Sequence, residues 1–120
     1  MTYKDIPDPR HRLPGRRLSE THKIETPEGH SVHLTIGYDP AEPDRPREIF
    51  YSAGFKSGSQ LEFQVQDACV LISLLLQHGH RPEAIAKSLA RTETPTGGMA
   101  SASIIGLIAE RLCHAAAEDG

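Results

Sequence analysis

Between Thr21 and Tyr38 the chain alternates apolar and polar residues. Ile24, Val32, Leu34 and Ile36 fall on one face at period two, the pattern of strands with one buried face. The stretch "TPEGH" between them supplies a proline and a glycine for a turn. The spacing predicts a hairpin of strands over 21–26 and 30–38. "DPAEPDRP", with three prolines in eight residues, then reads as a surface loop. "REIFYSAG" follows as a third strand, completing a small antiparallel sheet.

The period changes at "FKSGSQLEFQ". Ser59 followed three residues later by Glu62 is the signature of a capping box, so a helix over 60–77 is expected. Leu61, Val65, Ala68, Cys69, Ile72, Leu75 and Leu76 make one apolar stripe, and Phe63, Val70, Leu71 and Leu74 fill much of the remainder. A helix apolar nearly all round must be covered on most sides. The sheet covers one face, so later helices or a second copy of the protein should cover another.

Gly79 in "HGH" suits the left-handed position just past a helix end. Pro82 suits the first position of a short helix over 82–90, with Ile85 and Leu89 inward. "MASASIIGLIAERLCHAAA" reads as a last helix with Ile104, Ile105, Ile108 and Leu112 on one side. The expected order is β-β-β-α-α-α, an α+β fold of a three-stranded antiparallel sheet followed by three helices.

Composition adds an arm to this body. The chain has 120 residues, 38% of them apolar, with 9 prolines and 10 glycines. That size suits one domain with a modest core. Pro7, Pro9, Pro14 and Gly15 among charges mark residues 1–19 as an extended, flexible basic arm. Residues 20–117 would form the folded body. Residues 1–23 carry a net +3 and residues 24–120 a net −6. A dedicated nucleic-acid binder would place its positive charge on the folded face, so a linker or docking arm is the better expectation. The two cysteines, Cys69 and Cys113, lie far apart in apolar surroundings, as in a reducing cytoplasm. The start lacks a signal-peptide core. The longest apolar run, "ACVLISLLL", is nine residues, about half of what spans a bilayer.

Candidate chemistry is sparse. No cysteine or carboxylate accompanies the seven histidines at metal-ligand spacing, so no metal site is expected. Mid-helix burial would make Cys69 an inert packing group. The serines sit in caps and loops without a nucleophile elbow, and no carboxylate pair suggests acid–base work. No catalytic residue is assigned. Two glycine loops, "KSGS" and "TPTGG", read as preceding helices, whose free amides attract phosphate. An anion site would then draw on Lys56, Ser57, Gly58 and Ser59 in the first loop. Arg91, Thr94, Gly97 and Gly98 would serve it from the second. Neither loop matches a P-loop, and plain capping explains both.

The ordered set "RHRLPGRR", hairpin, "REIFYSAGFKSG" and "ISLLLQHGHRPEAIAKSLART" resembles the TSCPD-type C-terminal domain of adenosylcobalamin-dependent (class II) ribonucleotide reductases, over residues 10–112. The resemblance implies a stand-alone, non-catalytic relative of that domain, accessory or regulatory in deoxyribonucleotide metabolism. It would be at most a part of a ribonucleoside-diphosphate reductase system. Arg10, Arg12, Arg16 and Arg17 would dock it to a reductase subunit. Adenosylcobalamin is expected only in the full-length reductases, whose catalytic barrel and cysteine-rich tail have no counterpart in these residues. The family's cysteine motif would fall near "TETPT", where Thr92, Thr94 and Thr96 stand without a thiol. The alternative is a small homo-oligomeric module binding a phosphorylated ligand or a protein partner, associating through the helix over 60–77.

Overall fold

The computed structural model describes residues 18–119, with side chains from 18 to 115. The basic arm, with Arg10, Arg12, Arg16 and Arg17, lies outside the described residues. The element order is β1 (Leu18–Glu25), β2 (Ser31–Asp39), β3 (Glu42–Ala53), α1 (Gln60–Gln77), α2 (Pro82–Ser88), β4 (Arg91–Glu93), β5 (Met99–Ser101) and α3 (Ile104–Asp119). The expected α+β architecture of three antiparallel strands and three helices is present. A second, two-stranded sheet of β4 and β5 is added between α2 and α3.

β1, β2 and β3 form one antiparallel sheet in that order. β1 starts at Leu18, three residues before the alternation predicts, and its register runs unbroken from Leu18↔Tyr38 to Glu25↔Ser31. The larger difference lies in "DPAEPDRP". Only Pro40 and Ala41 form the turn, locked by the Ala41 amide donating to Asp39 Oδ1 at 2.9 Å. The rest of the expected loop is the start of β3. Proline is tolerated there because β3 is an edge strand, whose outer side needs no ladder donor. The register jumps from Tyr38↔Pro46 to Asp39↔Glu42, so Pro43, Asp44 and Arg45 bulge out of the ladder.

Ile24, Val32, Leu34, Ile36 and Ile49 form the buried face of the sheet; α1 and α3 pack against the sheet, and α2 joins the core chiefly by packing on α3. α1 contributes Val65, Cys69, Ile72 and Leu76, α2 contributes Ile85 and Ala86, and α3 contributes Ile108, Ala109, Leu112 and Ala115. The opposite face is mostly polar, with Thr35 and Ser52 hydroxyls bonded across strands at 3.2 Å, and it also carries Phe50, the register partner of Thr35.

α1 begins as the capping pattern predicts, with one shift. The Glu62 amide donates to Ser59 Oγ at 3.2 Å. The returning bond runs from the Gly58 amide to Glu62 Oε1 at 2.9 Å, one residue earlier than the box pattern implies. Its end is a Schellman motif: the His80 amide donates to the Leu75 carbonyl, the Gly79 amide to Leu76, and Gly79 has φ of 96°. α2 stops at Ser88 rather than 90, and α3 starts at Ile104 because Met99–Ser101 is taken into β5. No helix among the described residues is long and apolar enough to cross a membrane.

Candidate interaction surface

α1 lies against the open edge of β3, and its side chains complete that edge. In an edge strand every second residue aims its N–H and C=O away from the sheet. At Ile49 both groups meet one hydroxyl: the amide donates to Ser73 Oγ at 2.9 Å, and Ser73 Oγ donates to the Ile49 carbonyl at 3.1 Å. Gln77 Nε2 donates to the Arg47 carbonyl at 3.3 Å. The strand answers in kind. Arg47 Nη1 donates to the Leu76 carbonyl at 3.2 Å, and Arg45 Nη2 to the Gly79 carbonyl at 3.2 Å. The last turn of α1 has no basic residue of its own. β3 thus supplies the positive charge that complements the negative helix end.

Arg47 is nearly inaccessible, and its Nη2 is held by Glu42 Oε1 at 2.7 Å. The Arg47 guanidinium holds the Glu42 carboxyl below its ordinary range, with a smaller contribution from Arg45. Glu25 is lowered in the same sense, first by a hydrogen bond from Lys23 and then by one from Ser31.

The surface of α1 turned away from the core sets large apolar side chains among Gln60, Gln64, Gln66 and Asp67. Phe63, Val70 and Leu71 are 45%, 58% and 62% exposed. A groove of about 350 Å³ runs between α1 and the outer side of β3, lined by Phe50, Val70, Leu74 and Gln77 among others. A second, of about 280 Å³, lies between α1 and α2, lined by Leu75, Ile85 and Leu89. α1 therefore stands as an apolar ridge with a groove on each flank.

The two glycine loops occupy different settings. Lys56, Ser57, Gly58 and Ser59 form the turn that caps α1. Their amides are partly spent there, Gly58 on Glu62 and Ser59 on the Lys56 carbonyl. Thr94, Gly97 and Gly98 do not precede a helix; they are the tip of the β4–β5 hairpin, with Arg91 in β4 donating to the Met99 carbonyl at 3.5 Å. At that tip the Gly97 amide donates to the Thr94 carbonyl and the Gly98 amide to Thr94 Oγ1.

The same turn occurs at "TPEGH". Thr26 N–H donates to the His30 carbonyl, the Gly29 amide to the Thr26 carbonyl, and the His30 amide to Thr26 Oγ1. Gly29 and Gly97 have φ of 92° and 96°, a region that favours glycine. "TPTGG" is therefore the second instance of one Thr-Pro-x-Gly-x hairpin turn, and the repeat is readable in the sequence. The joint between Ser73, Gln77 and Arg47 leaves a fainter signal there, a lone serine inside the run "ACVLISLLL".

Cys69 and Cys113 are free thiols on different helices. Burial pushes the Cys69 thiol up to about 11. Burial, then the carboxylates of Glu83 and Glu110, raises Cys113. Neither environment favours a reactive thiolate. Among the described residues no group of three or more His, Cys, Asp or Glu side chains is placed to hold a metal ion.

The TSCPD domain family model matches residues 1–116. No curated protein and no solved structure matches the chain. With almost its whole length covered by that one model, and the sheet-then-helices architecture in place, the chain belongs to the TSCPD domain family, a domain type associated with ribonucleotide reductases.

Proposed function

We propose that this chain acts as a non-catalytic accessory or regulatory domain of a ribonucleotide reductase system, in deoxyribonucleotide metabolism. The observation that carries the reading is the extent of the family match, which takes in residues 1–116, the arginine-rich arm together with the body. Arm and body are thus one family unit, and Arg10, Arg12, Arg16 and Arg17 are its docking element toward the reductase. The chemistry of this chain supports a binding rather than a turnover role. Its two thiols sit on different helices with raised pKa values, which opposes the thiolate attack that disulfide exchange requires. Adenosylcobalamin belongs to the partner enzyme.

Size-exclusion chromatography of the chain mixed with a purified class II reductase, paired with turnover assays, tests the reading. Co-elution and a change in turnover are expected, both lost when Arg10, Arg12, Arg16 and Arg17 are all replaced by alanine. Separate elution with unchanged turnover would remove it.

A further inference from the structure

The outer face of α1 is the largest feature of the fold that packing within the chain leaves unused. Phe63, Val70 and Leu71 on α1, with Phe50 of β3 lining the groove beside Val70, are each between 45% and 62% exposed, whereas Leu75 lines the groove on the α2 side and Leu61 lies half a turn round the helix from Val70. Only Leu18 and Met99 are other large apolar residues described as exposed. The four on the Val70 side, exposed to that degree, present on the order of 400 Å² of apolar surface, within the range of patches that mark interaction sites on monomers. A standard interface buries about 800 Å² per partner, and in homodimers roughly 65% of that is apolar. The face therefore carries most of the apolar area that one side of a stable dimer needs.

We propose that this face is occupied by a second copy of the chain, with α1 packed antiparallel on its twin. Charge sets the direction. Glu62 and Asp67 are the only charged residues of α1, and both are acidic. A parallel, in-register pair would set Asp67 against Asp67 in the middle of the apolar ridge. An antiparallel pair crossing at Val70 and Leu71 sets each Asp67 across from Leu74 instead. The two carboxylates are then about 10 Å apart along the helix axis, a Debye length at ordinary ionic strength. A twofold axis also makes the surface self-complementary: the ridge of each helix meets the groove beside Leu74 and Phe50 of the other. The edge of β3 does not compete for this role at Arg47 and Ile49, since Ser73 and Gln77 already occupy its outward groups there.

Sedimentation equilibrium of the full chain tests the proposal. The expected result is a dimer at micromolar concentration. Val70→Glu should raise its dissociation constant by about 30-fold or more, as for loss of a central contact. Met99→Glu, on an exposed apolar residue of β5, should leave it unchanged. Circular dichroism melts separate loss of association from loss of folding. A second variant does not depend on destabilisation: Leu71→Cys should form a disulfide-linked dimer under mild oxidation, because the crossing sets residue 71 beside its counterpart, whereas Met99→Cys should not. A wild-type chain that sediments as a monomer would overturn the proposal and leave the face to a different protein. A dimer indifferent to Val70→Glu and not cross-linked through Leu71→Cys would overturn it as well.

Discussion

Single residues decide how the strands of this protein end. Thr26 and Thr94 each close a hairpin with the same three bonds, using backbone and hydroxyl together. Proline after the threonine fixes φ, and glycine two places on supplies the left-handed step. Glu42 acts at the same scale. It takes the Arg47 guanidinium at 2.7 Å, and that guanidinium lowers its pKa. A carboxyl lowered in the folded state contributes stability that is present above its unfolded pKa and lost as pH falls through the folded value. Glu42→Gln should therefore be less stable than the wild type at neutral pH. The difference should close in acid, below the lowered carboxyl. Urea denaturation across that pH range checks it. The effect should be small, since the Glu42 side chain is 45% exposed and solvent screens the pair.

At the scale of elements, the β3–α1 joint holds the fold together at its open edge. Ser73 satisfies both the amide and the carbonyl of Ile49 in a buried setting. Ser73→Ala should leave two buried backbone groups without partners and cost about 1–3 kcal/mol, measured as a lower denaturant midpoint at unchanged slope. α1 itself is legible in the amino-acid pattern alone. Ser59, Glu62 and Gly79 mark its ends, and its bounds of Gln60–Gln77 are those the pattern predicts. β3 is half legible. Its apolar core at Ile49 and Tyr51 shows in the alternation, but Pro43 and Pro46 argue for a loop. Their tolerance depends on β3 being an edge strand, and sheet order is not a local property of the chain. The β4–β5 hairpin does not show in the alternation because strands of three residues carry no readable period. Its turn motif, already present at Thr26, is the available clue.

Among the described residues, the molecule is a sheet with one face covered by α1 and α3, with α2 packed chiefly on α3 and α1 keeping surplus apolar surface. Leu112 of α3 is fully buried against this core. Leu112→Ala should cost about 2–5 kcal/mol, a large share of the roughly 5–15 kcal/mol a domain has. Thermal melts should show a fall of many degrees. Of the candidate site, the sequence indicates that helix 60–77 needs more cover than one sheet gives. It does not say which side chains stay uncovered, because that depends on where α2 and α3 settle. Those helices and the sheet bury Val65, Ile72 and Leu76 and leave Phe63, Val70 and Leu71 outside.

The sequence by itself determined the elements whose signals are local: the period-two face of β2, the capped ends of α1, and the proline start of α2. It determined the two Thr-Pro-x-Gly-x turns in the same way, since each bond there spans at most four residues. Tertiary structure alone decided that β3 is an edge and that Ser73, Gln77 and Arg47 seal it across 24 to 30 residues of chain. It also decided which flank of α1 faces water. The physical reason is the same in each case: an amide or an apolar side chain carries its need in the sequence, but the partner that meets it is chosen by packing.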